Sequence, residues 1–189
     1  MSVRLICISG KKGCGKTTVM EGLLPELGRR GCTVGTLKND HHGFELDTPG
    51  KDTWRHKRAG AAGALILGPG RIGLVLDLPG GDAGEPHRPD PADLARRYFA
   101  HLDLVLAEGF SAADAPKIEV FRPEAHAAPL LDPERGLAAL VTDAPAEALP
   151  EPLRAVPRFA LDDAVGLADF VLRLAGLTAR VETPEPGGD

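Results

Sequence analysis

The sequence predicts an α/β fold, a mostly parallel sheet with helices on both faces. Three observations lead there. Apolar runs of strand length alternate with stretches of helical apolar spacing along the 189 residues. The first strand and first helix are joined by Gly10-Lys11-Lys12-Gly13-Cys14-Gly15-Lys16-Thr17, which fits G-x-x-x-x-G-K-[ST]. The 23 glycines and 17 prolines indicate many loops, and the apolar runs that persist between them argue against disorder.

Taken in order, Val3 to Ile8 is an apolar run of buried-strand character. Thr17 to Arg30 follows as a helix with Val19, Met20, Leu23, Leu24 and Leu27 on one face, and Gly31 is suited to stop it. Pro25 predicts a kink or an early end. Cys32 to Lys38 reads as the second strand, followed by a polar, turn-rich loop over residues 39–52. A short helix is expected from a cap at Asp52 through Arg58. Ala64 to Leu67 and Ile72 to Leu78, split by Gly68-Pro69-Gly70, suggest two strands and a tight turn. After a loop over 80–91, Pro91 to His101 has the spacing of a helix with Leu94, Ala95 and Phe99 inward. Asp103 to Glu108 is a buried strand ending on a carboxylate. Lys117 to Phe121 alternates polar and apolar, which predicts an exposed or edge strand. Leu137 to Val141 is another buried strand, ending at Thr142-Asp143, and Val156 to Leu161 is the last. Asp162 is expected to cap a final helix to about Ala175, with Val165, Ala168, Val171 and Leu172 inward. The organisation is a single nucleotide-binding domain over 1–177 and a frayed polar tail over 178–189.

The spelling of the first loop has a chemical reason. Backbone N–H groups surround a phosphate only where the chain wraps tightly, and Gly13 and Gly15 allow that. Lys16 supplies a cation for the β- and γ-phosphates, and the Thr17 hydroxyl can ligate Mg²⁺. The following helix points its positive end at the same anion. With strand before and helix after, the fold is P-loop NTPase-like, and Lys11, Gly13, Cys14, Gly15, Lys16, Thr17 and Thr18 are the nucleotide-binding candidates. Glu108 is the candidate acid for Mg²⁺, and with Lys16 it makes the candidate catalytic pair. Asp143 is placed to accept hydrogen bonds from guanine N1–H and its 2-amino group, donors that adenine lacks there; the competing reading is a turn-forming Asp. No general base or positioned arginine stands out, so slow turnover is expected without a partner.

Composition narrows the partners. A net charge of −5 argues against nucleic acid and anionic membranes, and no apolar run approaches the ~20 residues of a membrane span. The N-terminus lacks signal-peptide organisation, and Cys7, Cys14 and Cys32 read as reduced thiols, so a cytoplasmic protein is expected. In the 39–58 segment, His41, His42, Asp40, Asp47 and Asp52 could touch phosphate, Mg²⁺ or a second substrate, or simply be solvated. Arg55, His56, Lys57 and Arg58 form a basic cluster that could bind an anionic partner or a second phosphate, though a solvated helix face is the better reading.

Together these segments resemble the molybdopterin-guanine dinucleotide biosynthesis protein B family. The residues that carry the resemblance are the phosphate loop, Lys38 with His41-His42-Gly43-Phe44, and the run Asp47 to Arg55. Ala59-Gly60-Ala61, Leu104 to Phe110, Ala115 to Val120, Thr142-Asp143 and Gly166 to Val171 complete it. The resemblance implies a GTP-binding adaptor with weak hydrolysis, dependent on Mg²⁺. It would assist the molybdopterin guanylyltransferase that joins GMP to molybdopterin, with molybdopterin or a molybdoenzyme as further partners. It also implies a homodimer, in which Lys11 matches a lysine that reaches the partner's nucleotide in one class of dimeric phosphate-loop proteins. Two other readings are a small-molecule kinase, with 39–58 as acceptor site, and a metallochaperone GTPase using His41 and His42.

Overall fold

The computed structural model describes residues 4–40, 43–78 and 88–180. Within the span suggested as one domain, the chain forms two compact units, Met1–Asn39 with Asp90–Asp189, and Asp40–Pro89.

The larger unit is built on six strands: β1 Leu5–Ser9, β2 Val34–Lys38, β5 Leu104–Glu108, β6 Lys117–Val120, β7 Leu137–Val141 and β8 Arg158–Phe159. Their order is β2-β5-β1-β6-β7-β8, and every ladder is parallel. All carboxyl ends therefore share one edge, where open α/β sheets bind their ligands. The sequence dictates this core directly. Leu104, Val105, Leu106 and Ala107 are completely buried, as a strand covered on both faces must be. Each large aliphatic side chain so buried contributes about 1.5–3 kcal/mol.

On one face, Ile6, Ile8, Leu104, Leu106, Ile118, Val120, Ala139 and Val141 meet helices α1 (Lys16–Arg29) and α4 (Ala164–Leu174). Helix α3 (Pro91–Tyr98) covers the other, where a Cβ on Gly35 would stand 3.0 Å from Phe99 and Leu102. Helix α1 runs through Pro25 without stopping. The carbonyl deprived of its N–H is that of Glu21, and both residues are exposed, so that carbonyl is open to solvent. The helix ends as expected at Gly31 (φ 69°), with Gly31 N donating to Gly28 O and Cys32 N to Leu27 O. The last helix starts one residue later than its sequence suggested. Asp163, not Asp162, caps it by accepting from Gly166 N at 2.9 Å, and Leu167 takes the inward place expected for the exposed Val165.

The main correction concerns Lys117 to Val120. This is no edge strand: β6 lies between β1 and β7, with Lys117 4% and Glu119 1% exposed. Both charged ends are satisfied by backbone groups of neighbouring loops. The Lys117 ammonium donates to the carbonyls of Ala113, Ala115 and Arg135 at 2.6, 3.0 and 2.9 Å. The Glu119 carboxylate accepts from Leu130 N and from Leu131 N, the latter at 2.8 Å. Burial raises the Glu119 pKa, and those two N–H groups oppose the shift. Burial likewise pushes the Cys7 thiol up to about 11.

The tail begins tied down, for Arg180 N donates to Arg30 O at 2.8 Å and its guanidinium to Asp103 at 2.8 Å. Residues beyond 180, His41, His42 and most of the 80–91 loop lie outside the described residues.

The smaller unit holds α2 (Asp52–Arg58) and the antiparallel hairpin of β3 (Gly63–Gly68) and β4 (Arg71–Leu76). Lys51 occupies the cap position of α2 and Asp52 is its first helical residue. The tight turn falls at Pro69-Gly70, with Gly70 at φ 72°.

Candidate nucleotide site

The phosphate loop leaves the carboxyl end of β1, the central position from which the chain departs to both sides of the sheet. Three of its glycines have positive φ: Gly10 (136°), Gly13 (79°) and Gly15 (94°), the last being the cap residue of α1. They do different work. A Cβ on Gly10 would stand 2.4 Å from Val120 O and 2.8 Å from Cys14 Sγ, so Gly10 is required for packing against β6. A Cβ on Gly13 would meet nothing within 4 Å, which leaves that position open to an approaching ligand.

Lys16 is held across the loop. Its ammonium donates to Gly10 O at 3.0 Å and Lys11 O at 2.9 Å, which fixes a cation beside the helix N-terminus. The Cys14 side chain is buried in the core, and its backbone N–H makes only a long hydrogen bond to Lys11 O at 3.5 Å. Thr17 and Thr18 are exposed in the first turn of α1. Lys11 Nζ donates to Ala128 O at 2.8 Å, within its own chain.

Glu108 ends β5, in register with Ile8 of β1 and Lys38 of β2, on the sheet face that carries α1. Among the described residues its carboxylate has no hydrogen bond or ion pair. The Thr17 hydroxyl is equally free, so two oxygen donors of the type Mg²⁺ prefer stand at one end of neighbouring elements. Gly109 follows at φ 85°, its N–H donating to Ile8 O at 3.1 Å.

Asp143 follows β7, two strands from β1, which is about 10 Å at the usual strand spacing. It is exposed, and Oδ1 accepts a long hydrogen bond from Leu161 N at 3.4 Å. The turn behind it is held independently by Ala144 N donating to Thr142 Oγ1 at 3.1 Å. Two of the other carboxylates marked in the sequence are engaged locally: Asp47 accepts from Thr48 N and Thr53 Oγ1, and Asp52 lies 3.9 Å from Arg55.

One residue escaped the sequence reading. Arg122 lies two residues past the end of β6, after the buried Phe121, and its Cδ lies 4.0 Å from where a Gly15 Cβ would be. An arginine just past a predicted strand was the available signal, but it counts only once that strand is known to flank the phosphate loop.

Comparison with known proteins fits this arrangement. The family model described as molybdopterin guanine dinucleotide synthesis protein B matches residues 5–143, from β1 through Asp143. The chain belongs to that family. Among its members, the molybdopterin-guanine dinucleotide biosynthesis adapter protein of Escherichia coli (strain K12) is 33% identical over 172 residues, covering 90% of this chain and 92% of that one. The Haemophilus influenzae protein of the same description is 35% identical, with 77% and 78% covered. The crystal structure of Bacillus subtilis MobB superposes with a TM-score of 0.67 at 28% identity, covering 90% of this chain and 97% of that one. A MobB homologue from Bacillus stearothermophilus gives 0.61 at 24% identity and supports the fold alone.

Proposed function

We propose that this chain is a GTP-binding adaptor with weak GTPase activity that assists attachment of GMP to molybdopterin, the step that completes molybdopterin guanine dinucleotide. The adaptor role rests on family membership. The observation that carries the nucleotide reading is the loop at β1: the Lys16 ammonium fixed across Gly10 and Lys11 carbonyls, beside the N-terminus of a 14-residue helix. In this reading the loop N–H groups and Lys16 bind the phosphates, Thr17 and Glu108 hold Mg²⁺, and Asp143 reads the guanine edge. Hydrolysis in this reading is slow without a partner, because no general base stands out in the sequence.

The partners follow from the same reading: a molybdopterin guanylyltransferase, with molybdopterin or a molybdoenzyme downstream, in the cytoplasm. Competition between GTP and ATP for the purified chain, with and without the guanylyltransferase, tests it. GTP preference strengthened by the enzyme is expected; equal, weak binding of both nucleotides would refute it. Asp143→Ala narrows the GTP-over-ATP preference by about tenfold, the worth of one or two charge-assisted hydrogen bonds. An unchanged ratio removes Asp143 from the base site.

A homodimer is part of the proposal, and the hairpin supports it. Cross-strand pairs Leu65–Leu74 and Leu67–Ile72 line one face with Leu76, and all five are exposed, Leu67 by 74% and Ile72 by 67%. Two-stranded sheets are marginal alone, and a bare aliphatic face of this kind calls for a partner surface. A second copy supplies the same face, as two-fold symmetry requires. The double variant Leu67→Asp/Ile72→Asp should be monomeric in sedimentation or light-scattering measurements at concentrations where the parent is dimeric; a surviving dimer would move the interface elsewhere.

A further inference from the structure

We propose that Arg122 is a phosphate-binding residue, its guanidinium holding the β-phosphate of a bound guanine nucleotide. The inference rests on the nucleotide reading above and adds a residue to it. Strand β6 flanks β1 on the side opposite β5, so Arg122 and Glu108 bracket the loop from its two neighbouring strands. The Arg122 stem already lies against the loop, with Cδ 4.0 Å from the Cβ position of Gly15. Gly15 caps α1, where the first helical N–H groups gather around an anion. The guanidinium carbon lies only about 2.5 Å beyond Cδ, two bonds further on.

The backbone that carries Arg122 is fixed to the loop rather than free. Arg122 O accepts from Ala125 N and His126 N, both at 3.1 Å. His126 Nε2 then hydrogen-bonds Lys12 O at 2.7 Å, and Ala128 O accepts from Lys11 Nζ at 2.8 Å. The segment is anchored beneath by the buried Glu119 carboxylate, which accepts from Leu130 N and Leu131 N. Residues 122–131 thus form a strap across the phosphate loop, which sets the backbone at Arg122 while its side chain stays exposed.

Charge points the same way. Among the described residues the Arg122 guanidinium has no hydrogen bond, ion pair or aromatic partner. It joins Lys11, Lys12 and Lys16 at one sheet edge of a protein whose net charge is −5. The buried Glu119 carboxylate beside Lys11 offsets only part of this positive charge, so an entering anion is favoured. A guanidinium suits a phosphate because its planar fork gives two parallel hydrogen bonds, which an ammonium cannot. A contact at the β-phosphate serves GDP and GTP alike, and that separates it from a residue specific to the γ-phosphate.

Titrations of GDP and of a non-hydrolysable GTP analogue into the parent chain, Arg122→Ala, Arg122→Lys and Lys16→Ala test this, with thermal unfolding of each. Arg122→Ala is expected to weaken both nucleotides about tenfold, with an unfolding midpoint like that of the parent. Arg122→Lys should recover part of the loss. Parent-like affinity for both nucleotides in Arg122→Ala, while Lys16→Ala has lost them, overturns this inference and leaves the nucleotide reading standing. So does a loss for the GTP analogue alone, or a loss matched by a fallen midpoint. A parent chain that binds neither nucleotide overturns both.

Discussion

Lys16→Ala should lower GTP affinity at least about 100-fold, roughly 3 kcal/mol, while the protein stays folded. The ammonium makes its hydrogen bonds to Gly10 and Lys11 carbonyls at a half-exposed loop, and no core packing depends on it. Water can replace it for those two carbonyls, but nothing replaces its charge opposite a triphosphate. Calorimetric or fluorescence titration of GTP, with urea unfolding of the same preparations, gives both quantities. Retention of parent affinity would remove the loop from nucleotide binding.

The second large effect is on folding. Gly10→Ala should destabilise the protein by about 3–5 kcal/mol, because the new methyl would stand 2.4 Å from the backbone oxygen of Val120. That oxygen belongs to a central strand paired on both sides, so it cannot retreat cheaply. The φ of 136° adds strain for any side chain. Gly13→Ala is the contrast: its methyl meets open space, so the cost is only the ~1–2 kcal/mol of an unfavourable φ. Chemical denaturation of both variants decides the matter. A difference between them of less than 1 kcal/mol would mean that Gly10 is not a packing residue.

The two glycines illustrate what a motif does and does not reveal. Its spelling marks where phosphate is expected and which lysine and threonine belong there. It assigns tight wrapping to Gly13 and Gly15 and leaves Gly10 as a formal first position. Only the approach of β6 gives Gly10 its role. The exposed hairpin has the same character: its strands and turn were legible, but whether Leu67 and Ile72 were covered was not.

What the sequence alone determined is the part governed by neighbours along the chain. The buried strands at Leu104–Glu108 and Leu137–Val141 follow from unbroken apolar runs, and α1 follows from its 3.6-residue spacing and its Gly31 stop. The carboxylate at the end of β5 and the loop after β1 then fall on one edge, because parallel strands align their carboxyl ends. What only the tertiary structure decided is the centre of the sheet. Lys-Ile-Glu-Val alternates as an exposed strand would, yet it is buried, because a lysine and a glutamate can be buried when enough backbone groups meet them. The groups that do so come from residues 113, 115, 130, 131 and 135, and no local pattern announces them. That burial seats β6 beside β1 and thereby brings Arg122 to the phosphate loop.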